Sequence, residues 1–193
     1  MIKIALVGDI GSGKTFISKL FGLPIFNADK SVSKIYAENK KVYLVLKNEL
    51  PNFFSSFPIK KNELIKAINK NKNNIRKISR IVHPEVRKDL KKFLKKNNRK
   101  KAVILDIPLY LEKKLNEKND IIIFIQSSSK ESLKRIKKRE NFNMSILKKL
   151  KNLQLPLSVK KRKSKYVIKN NFTKNLARKN VQDILNKILW WKR

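Results

Sequence analysis

Short apolar runs alternate with longer stretches of helical periodicity along the chain. Four short runs with almost no polar interruption read as strands, at 2–7, 102–105, 121–125 and 166–168, and the apolar pair 25–26 begins a further short strand. Strands without polar alternation, separated by helices, are typical of a parallel sheet that is covered by helices on both faces. The pattern therefore predicts a three-layer α/β/α fold with a parallel sheet of about five strands.

The longest interval between two of these runs reads as helical with interruptions, from about residue 30 to residue 96. Within it, Pro84 predicts the first turn of a helix that carries Val86 and Leu90, because proline suits the start of a helix. Apolar residues at helical spacing near the end of the chain predict a closing helix over 175–191.

A glycine-rich loop follows the first strand and carries the strongest chemical signal. Residues Gly8 to Thr15 fit the pattern G-x-x-x-x-G-K-[ST], and three of the four glycines of the chain lie in these eight positions. A match by chance over a chain of this composition is about one in a thousand. Such a loop cradles the phosphates of a nucleoside triphosphate with main-chain N–H groups. We expect ATP to be bound by Gly11, Ser12, Gly13, Lys14, Thr15 and Phe16.

Side-chain chemistry within this loop follows from the same pattern. Lys14 is expected to reach the β- and γ-phosphates, and the Thr15 hydroxyl to be a ligand of Mg²⁺. The pattern by itself leaves open which molecule accepts the phosphoryl group, because GTPases, ATPases, helicases and small-molecule kinases share it.

Two of the six aspartates follow predicted strands. Ligands of an open parallel sheet collect beyond the carboxyl ends of its strands, so both carboxylates are candidates for the site. Asp29 could accept the proton of an attacking hydroxyl, or it could cap the helix that follows. Asp106 could hold Mg²⁺ directly or through water, or it could cap a turn before Pro108.

Three basic residues are further candidates with a structural alternative for each. His83 could contact an anionic or purine group of a substrate, or it could cap a helix or fill a polar gap. Arg135 and Arg139 lie four residues apart, which suits a pair that reaches over phosphates on one helical face, although a solvated basic helix would show the same spacing.

The composition narrows the class of protein further. The 193 residues carry a formal charge of +35, with 40 lysines but only nine arginines. Arginine is the side chain that binds phosphate and bases bidentately, so its scarcity favours solvated surface lysines and small anionic ligands over nucleic-acid binding, which stays the alternative. With no cysteine and one histidine, disulfides and the usual zinc sites are excluded. No apolar run approaches the roughly 20 residues of a membrane helix. We expect a cytoplasmic protein.

The order of motifs resembles the dephospho-CoA kinase family over nearly the whole chain. The family pattern begins with a phosphate loop, matched here by 8–15, and an apolar pair before D-A-D, matched by 25–29. A helical insertion with H-P follows, matched by 83–87, and then P-L-L-x-E after a strand, matched by 106–112. The pattern ends with R-x-x-x-R before a lid, Q-x-P and a final strand motif, matched by 135–139, 154–156 and 165–171.

The resemblance implies transfer of the γ-phosphoryl group of ATP to the ribose 3′-hydroxyl of dephospho-CoA, the last step of coenzyme A synthesis. It implies that Asp29 is the catalytic base, that Lys14 and Arg139 are catalytic residues on the phosphates, and that His83 and Asp29 bind the acceptor. Another small kinase with this loop, such as one acting on a nucleoside monophosphate, is the alternative.

The resemblance also predicts how one kinase domain is organised. The expected core comprises about 1–29, 100–134 and 164–193. The expected acceptor-binding insertion covers about 30–99 and a helical lid about 135–163. We expect a monomer.

Several positions depart from the family pattern. Asp9 stands where the loop usually has glycine, and Asn27 replaces the first acid of D-A-D. Phe16 replaces a small hydroxyl residue, and Lys165 and Lys169 replace acids near the last strand. These departures concern the acceptor geometry and the charge around the phosphates.

Overall fold

The computed structural model describes residues 1–138, 140 and 142–190. Two predictions therefore lie outside the described residues, namely the role of Arg139 and the end of the closing helix at residue 191. The strands of the described part are β1 (Ile2–Gly8), β2 (Ile25–Asn27), β3 (Ala102–Asp106), β4 (Ile121–Gln126) and β5 (Tyr166–Lys169). Its helices are α1 (Lys14–Leu20), α2 (Ala28–Glu38), α3 (Lys40–Glu49), α4 (Lys61–Lys70), α5 (Lys72–Lys96), α6 (Ser129–Lys137), α7 (Met144–Lys151), α8 (Leu157–Arg162) and α9 (Lys174–Trp190).

The five strands form one sheet in the order β2-β3-β1-β4-β5, and every neighbouring pair is parallel. The predicted parallel sheet of five strands is confirmed. Because all strands run the same way, the carboxyl ends of β1, β2 and β3 lie at one edge. At that edge Asn27 is the register partner of Asp106.

The chain divides into two compact units. The first unit comprises the described residues of Met1–Asn27, Asn97–Asn143 and Lys149–Arg193, and it holds the whole sheet. One face of the sheet packs against α1 and α9 around a hydrophobic cluster. Residues of the other face, such as Ala5 and Leu105, are buried as well, and α8 contacts β1. Burial on both faces explains why these strands lack polar alternation.

The second unit comprises Ala28–Lys96 and Met144–Lys148. Its helices α2, α3, α4 and α5 surround a hydrophobic cluster of their own, in which Leu46 and Phe54 are fully buried. The predicted helix start at Pro84 is wrong, because α5 continues through this proline over 25 residues. Ile78, Val82 and Val86 lie four residues apart and pack on the same cluster, so burial continues across the proline despite the lost N–H donor.

Glu63 holds the loop before α4 in place. Its carboxylate accepts hydrogen bonds from the Ser55 N–H at 2.9 Å, the Ser55 hydroxyl at 2.9 Å and the Lys60 N–H at 3.0 Å. Burial alone would raise the pKa of Glu63, but these hydrogen bonds outweigh it and hold the pKa below its usual value. The ionised carboxylate therefore stabilises this unit.

We predict that Glu63→Gln lowers the free energy of unfolding by about 1–3 kcal/mol at pH 7, because the amide retains only one acceptor oxygen. A group whose pKa is lower in the folded state stabilises it above its unfolded pKa, and this contribution is lost as the pH falls through the folded pKa. The difference between the parent protein and the variant should therefore shrink below about pH 4. Urea unfolding at several pH values measures it.

Glu38→Gln is the matched control, because the Glu38 side chain is 66% exposed on α2. It should change stability little at any pH. A Glu63→Gln effect that stayed constant from pH 7 to pH 3 would contradict the assigned role of the charge.

Candidate active site

The phosphate loop between β1 and α1 adopts a conformation that depends on glycine. Gly11 and Gly13 have φ angles of 79° and 88°, in the left-handed region that other residues rarely adopt. A Cβ atom at residue 13 would collide with the amide nitrogen of Asn170, and one at residue 11 would lie 2.7 Å from Ile136. The loop therefore packs closely against Asn170 and Ile136, and substitution of either glycine would displace it.

Lys14 begins α1 at the end of this loop, and Gly13 is the N-cap residue of the helix. The ammonium group of Lys14 donates a hydrogen bond to the Asp9 carbonyl at 2.7 Å, and the Gly8 carbonyl lies 3.4 Å from the same nitrogen. The side chain thus folds back over the loop that carries it. That this ammonium group reaches the β- and γ-phosphates of a nucleotide stays a prediction.

Asp9, which stands where the family pattern has glycine, turns its carboxylate to two local partners. Oδ1 accepts the N–H of Ile10 at 2.7 Å, and Oδ2 lies 3.8 Å from the Nζ of Lys151. One main-chain donor of the loop is therefore held by a side chain of the loop. A nearby cation partly compensates the negative charge.

Asn170 ties the loop after β5 to the phosphate loop. Its amide nitrogen donates to the Ser12 carbonyl at 2.9 Å, and its amide oxygen accepts the Phe172 N–H at 3.0 Å. The guanidinium of Arg135 lies 3.9 Å from the centre of the Phe172 ring. Sequence reasoning gave Asn170 and Phe172 no role. The asparagine after the final strand was the available signal for the first.

Two of the predicted ATP-binding residues, Ser12 and Phe16, turn their side chains into the protein. The Ser12 side chain is fully buried, and its hydroxyl has no hydrogen-bond partner among the described residues. The Phe16 ring packs against the hydrophobic cluster of the sheet. Their side chains support the loop from within, so contact with phosphates would come from their N–H groups.

Thr15, Asp106 and Asn27 meet at the carboxyl edge of the sheet. The Thr15 hydroxyl donates to Oδ2 of Asp106 at 2.7 Å, and the Asn27 amide donates to the same oxygen at 2.7 Å. The proposed Mg²⁺ ligands Thr15 and Asp106 are thus in direct contact. A hydroxyl that donates to a carboxylate keeps its lone pairs, and Mg²⁺ prefers oxygen ligands of this kind. These side chains fit the metal.

A buried ion pair joins two of the family motifs, because one lysine contacts both Glu112 of P-L-x-x-E and Gln154 of Q-x-P. Lys160 of α8 has a side chain that is 1% exposed, and its ammonium lies 2.8 Å from the carboxylate of Glu112 and 3.0 Å from the Gln154 amide oxygen. The Leu155 N–H donates to the same carboxylate at 3.0 Å. Both ions have hydrogen-bonding partners besides each other, which a buried pair requires. The contact fixes the 154–160 segment within the first unit.

Asp29 and His83 lie on helices of the second unit. Asp29 is in the first turn of α2, two residues after β2 ends, so it does not cap this helix from outside. His83 is half-buried within α5, which packs against α2. The Ser31 hydroxyl donates to the Asp89 carboxylate at 2.6 Å and fixes the start of α2 against α5.

We predict that Asp9→Asn tightens ATP binding by about two- to fivefold, the size of effect that one charge near the protein surface typically has. The amide oxygen still accepts the Ile10 N–H, while a negative charge beside the phosphates is removed. Isothermal titration at low and high salt measures this, and the gain should shrink as salt screens the charge.

Asp183→Asn removes the same charge from an exposed position on α9 and is the control. Weaker ATP binding by Asp9→Asn than by this control would show that the Asp9 charge does not oppose the nucleotide.

Comparisons with known proteins agree with this geometry. The sequence model of the family described as dephospho-CoA kinase matches residues 2–175. A dephospho-CoA kinase from Wolbachia sp. subsp. Brugia malayi is 30% identical, covering 96% of this chain and 97% of that protein. One from Rhizobium etli is 28% identical, covering 96% and 93%.

Solved structures share the fold. A Thermus thermophilus protein superposes with a TM-score of 0.77 at 22% identity, covering 97% of each chain. The dephospho-CoA kinase from Campylobacter jejuni gives 0.65 at 23% identity, covering 96% of each chain. The predicted α/β fold and the predicted class of enzyme, a kinase, are confirmed. The family match spans nearly the whole described chain, and the protein belongs to the dephospho-CoA kinase family.

Proposed function

We propose that this protein transfers the γ-phosphoryl group of ATP to the ribose 3′-hydroxyl of dephospho-CoA and so forms coenzyme A and ADP. The observation that carries the proposal is the phosphate loop with Thr15 bonded to Asp106 at its end, in a chain whose family match covers residues 2–175. The loop supports a nucleoside triphosphate as the donor. Family membership supports the acceptor.

On the donor side, we propose that main-chain N–H groups of residues 11–16 bind the phosphates and that the Lys14 ammonium moves from the loop carbonyls to the phosphate oxygens. Thr15 and Asp106 would hold Mg²⁺. When bound, Mg²⁺ neutralises charge that develops on the β- and γ-phosphates. Arg139 is proposed to stabilise the same charge, as the family resemblance implies.

On the acceptor side, we propose that Asp29 orients the 3′-hydroxyl and takes its proton. The hydroxyl oxygen bonds to the γ-phosphorus as the bond from that phosphorus to the β–γ bridging oxygen breaks, and ADP leaves with the bridging oxygen. His83 is proposed to bind the acceptor together with Asp29. Asp29 follows the end of β2 by two residues, which supports this assignment.

The setting of the enzyme is also proposed from the family resemblance. We retain the division into a core, an acceptor-binding insertion over about 30–99 and a lid over about 135–163, and we expect a cytoplasmic monomer. Closure of such a lid would exclude water and so prevent hydrolysis of ATP. Within the described part of the chain, no helix combines the length and apolarity that crossing a membrane requires.

The direct test measures ADP release with ATP and Mg²⁺ in the presence of dephospho-CoA, of nucleoside monophosphates and of no acceptor. Release that depends on dephospho-CoA and disappears in Lys14→Ala supports the proposal. Faster release with a nucleoside monophosphate would assign a different kinase. Release that needs no acceptor, together with salt-sensitive nucleic-acid binding, would favour a nucleic-acid-dependent protein.

We predict that Asp29→Asn lowers kcat by about 100-fold or more, because a general base contributes two to four orders of magnitude. The affinity for ATP, measured by titration, should stay within about twofold, since the amide has the shape of the carboxylate. Glu38→Gln on the same helix is the control and should retain activity. An unchanged kcat in Asp29→Asn would remove the assignment of this residue as the base.

A further inference from the structure

Asn27 contacts the carboxylate that is proposed to hold Mg²⁺. It is the last residue of β2 and the register partner of Asp106 at the end of β3. Its Nδ2 lies 2.7 Å from Oδ2 of Asp106, and the Thr15 Oγ1 lies 2.7 Å from the same atom. Two donors on neighbouring elements therefore converge on one carboxylate oxygen.

This arrangement fixes the orientation of a buried side chain. Asp106 is 4% exposed, so its carboxylate depends on protein donors for stabilisation. Both donors bind Oδ2, and neither of them occupies Oδ1. An asparagine at position 27 achieves this without a charge. An aspartate there would add a second negative charge at hydrogen-bonding distance.

We propose that Asn27 is a positioning residue for Asp106, and that its neutrality makes Mg²⁺ binding depend on the phosphates of the nucleotide. A protein site with one carboxylate and one hydroxyl offers little charge to a cation that gives up its water reluctantly. Among the described residues, no group of three or more His, Asp and Glu side chains is arranged to hold a metal ion. The phosphates must then supply most of the negative charge.

The inference rests on the proposed nucleotide site but not on the identity of the acceptor. It is therefore tested by binding measurements with ADP, without dephospho-CoA. If ADP release does not depend on dephospho-CoA but the binding measurements give the results expected below, the acceptor assignment is wrong and the role of Asn27 stands. If the parent protein binds no ADP with or without Mg²⁺, the proposed nucleotide site and the role of Asn27 are both wrong.

The first experiment uses Asn27→Asp, with Asn98→Asp as the matched control. Asn98 is exposed in the turn between α5 and β3, so its substitution makes the same chemical change away from the loop. Calorimetric titration and thermal unfolding are measured with MgCl₂ alone, with ADP and EDTA, and with Mg²⁺ and ADP together. Mg²⁺ alone is the probe that separates the protein's contribution from that of the phosphates.

The parent protein and Asn98→Asp should show little stabilisation by Mg²⁺ alone, whereas Asn27→Asp should bind Mg²⁺ alone about tenfold more tightly or better, because it adds an anionic ligand. An Asn27→Asp protein that folds only when Mg²⁺ is added would also support the proposal, because the added carboxylate would then need the cation. Equal affinity of the parent protein and Asn27→Asp for Mg²⁺ alone would overturn the role of neutrality. So would an Asn27→Asp protein that does not fold even with Mg²⁺ and ADP.

The second experiment tests positioning separately and uses Asn27→Ala with Asn98→Ala as control. The quantity measured is the ratio of the ADP affinity with Mg²⁺ to the ADP affinity in EDTA. Removal of the Asn27 donor should lower this ratio about fivefold, while the ADP affinity in EDTA stays unchanged. A loss of ADP affinity that is the same with and without Mg²⁺ would indicate only a disturbed fold. That result, or no change at all, would overturn the positioning role.

Discussion

The parallel pairing of β1, β2 and β3 is the constraint on which the rest of the site depends. Because these strands end at the same edge, the phosphate loop after β1 lies beside the last residues of β2 and β3. A hydroxyl 91 residues before Asp106 in the chain thereby reaches its carboxylate at 2.7 Å. The hydrophobic cores on both faces hold the strands in register, so packing of apolar residues sets the geometry of the polar edge.

The structure shows which partners individual charged residues of this basic chain have. The chain has 40 lysines, and several of those in the described part have defined local partners. Lys14 lies on the carbonyls of the loop, and Lys160 is buried with Glu112. Compared with the family pattern, Asp9 adds a negative charge to the phosphate loop, whereas Asn27 removes one beside Asp106. An ATP-binding site in so basic a chain can accommodate both.

Much of the fold, including the position of the phosphate loop between β1 and α1, could be predicted from the sequence. Strands buried on both faces lack polar alternation, and the phosphate loop has a nearly unique pattern, so both were visible in short segments. The helix through Pro84 was missed because its burial depends on a cluster formed by distant helices. The contacts of Asn27 and Lys160 join segments far apart in sequence, so no local pattern revealed them, whereas Asn170 had a signal in its place after the final strand.

The proposed function requires that main-chain amides of the phosphate loop bind the phosphates of ATP. Hydrogen–deuterium exchange of the peptide covering residues 8–16, with and without Mg²⁺ and a nonhydrolysable ATP analogue, tests it most directly. We expect the analogue to slow exchange of the loop amides strongly, and Lys14→Ala to abolish this protection. Unchanged exchange in the loop, at analogue concentrations that saturate the protein, would rule out this mode of nucleotide binding.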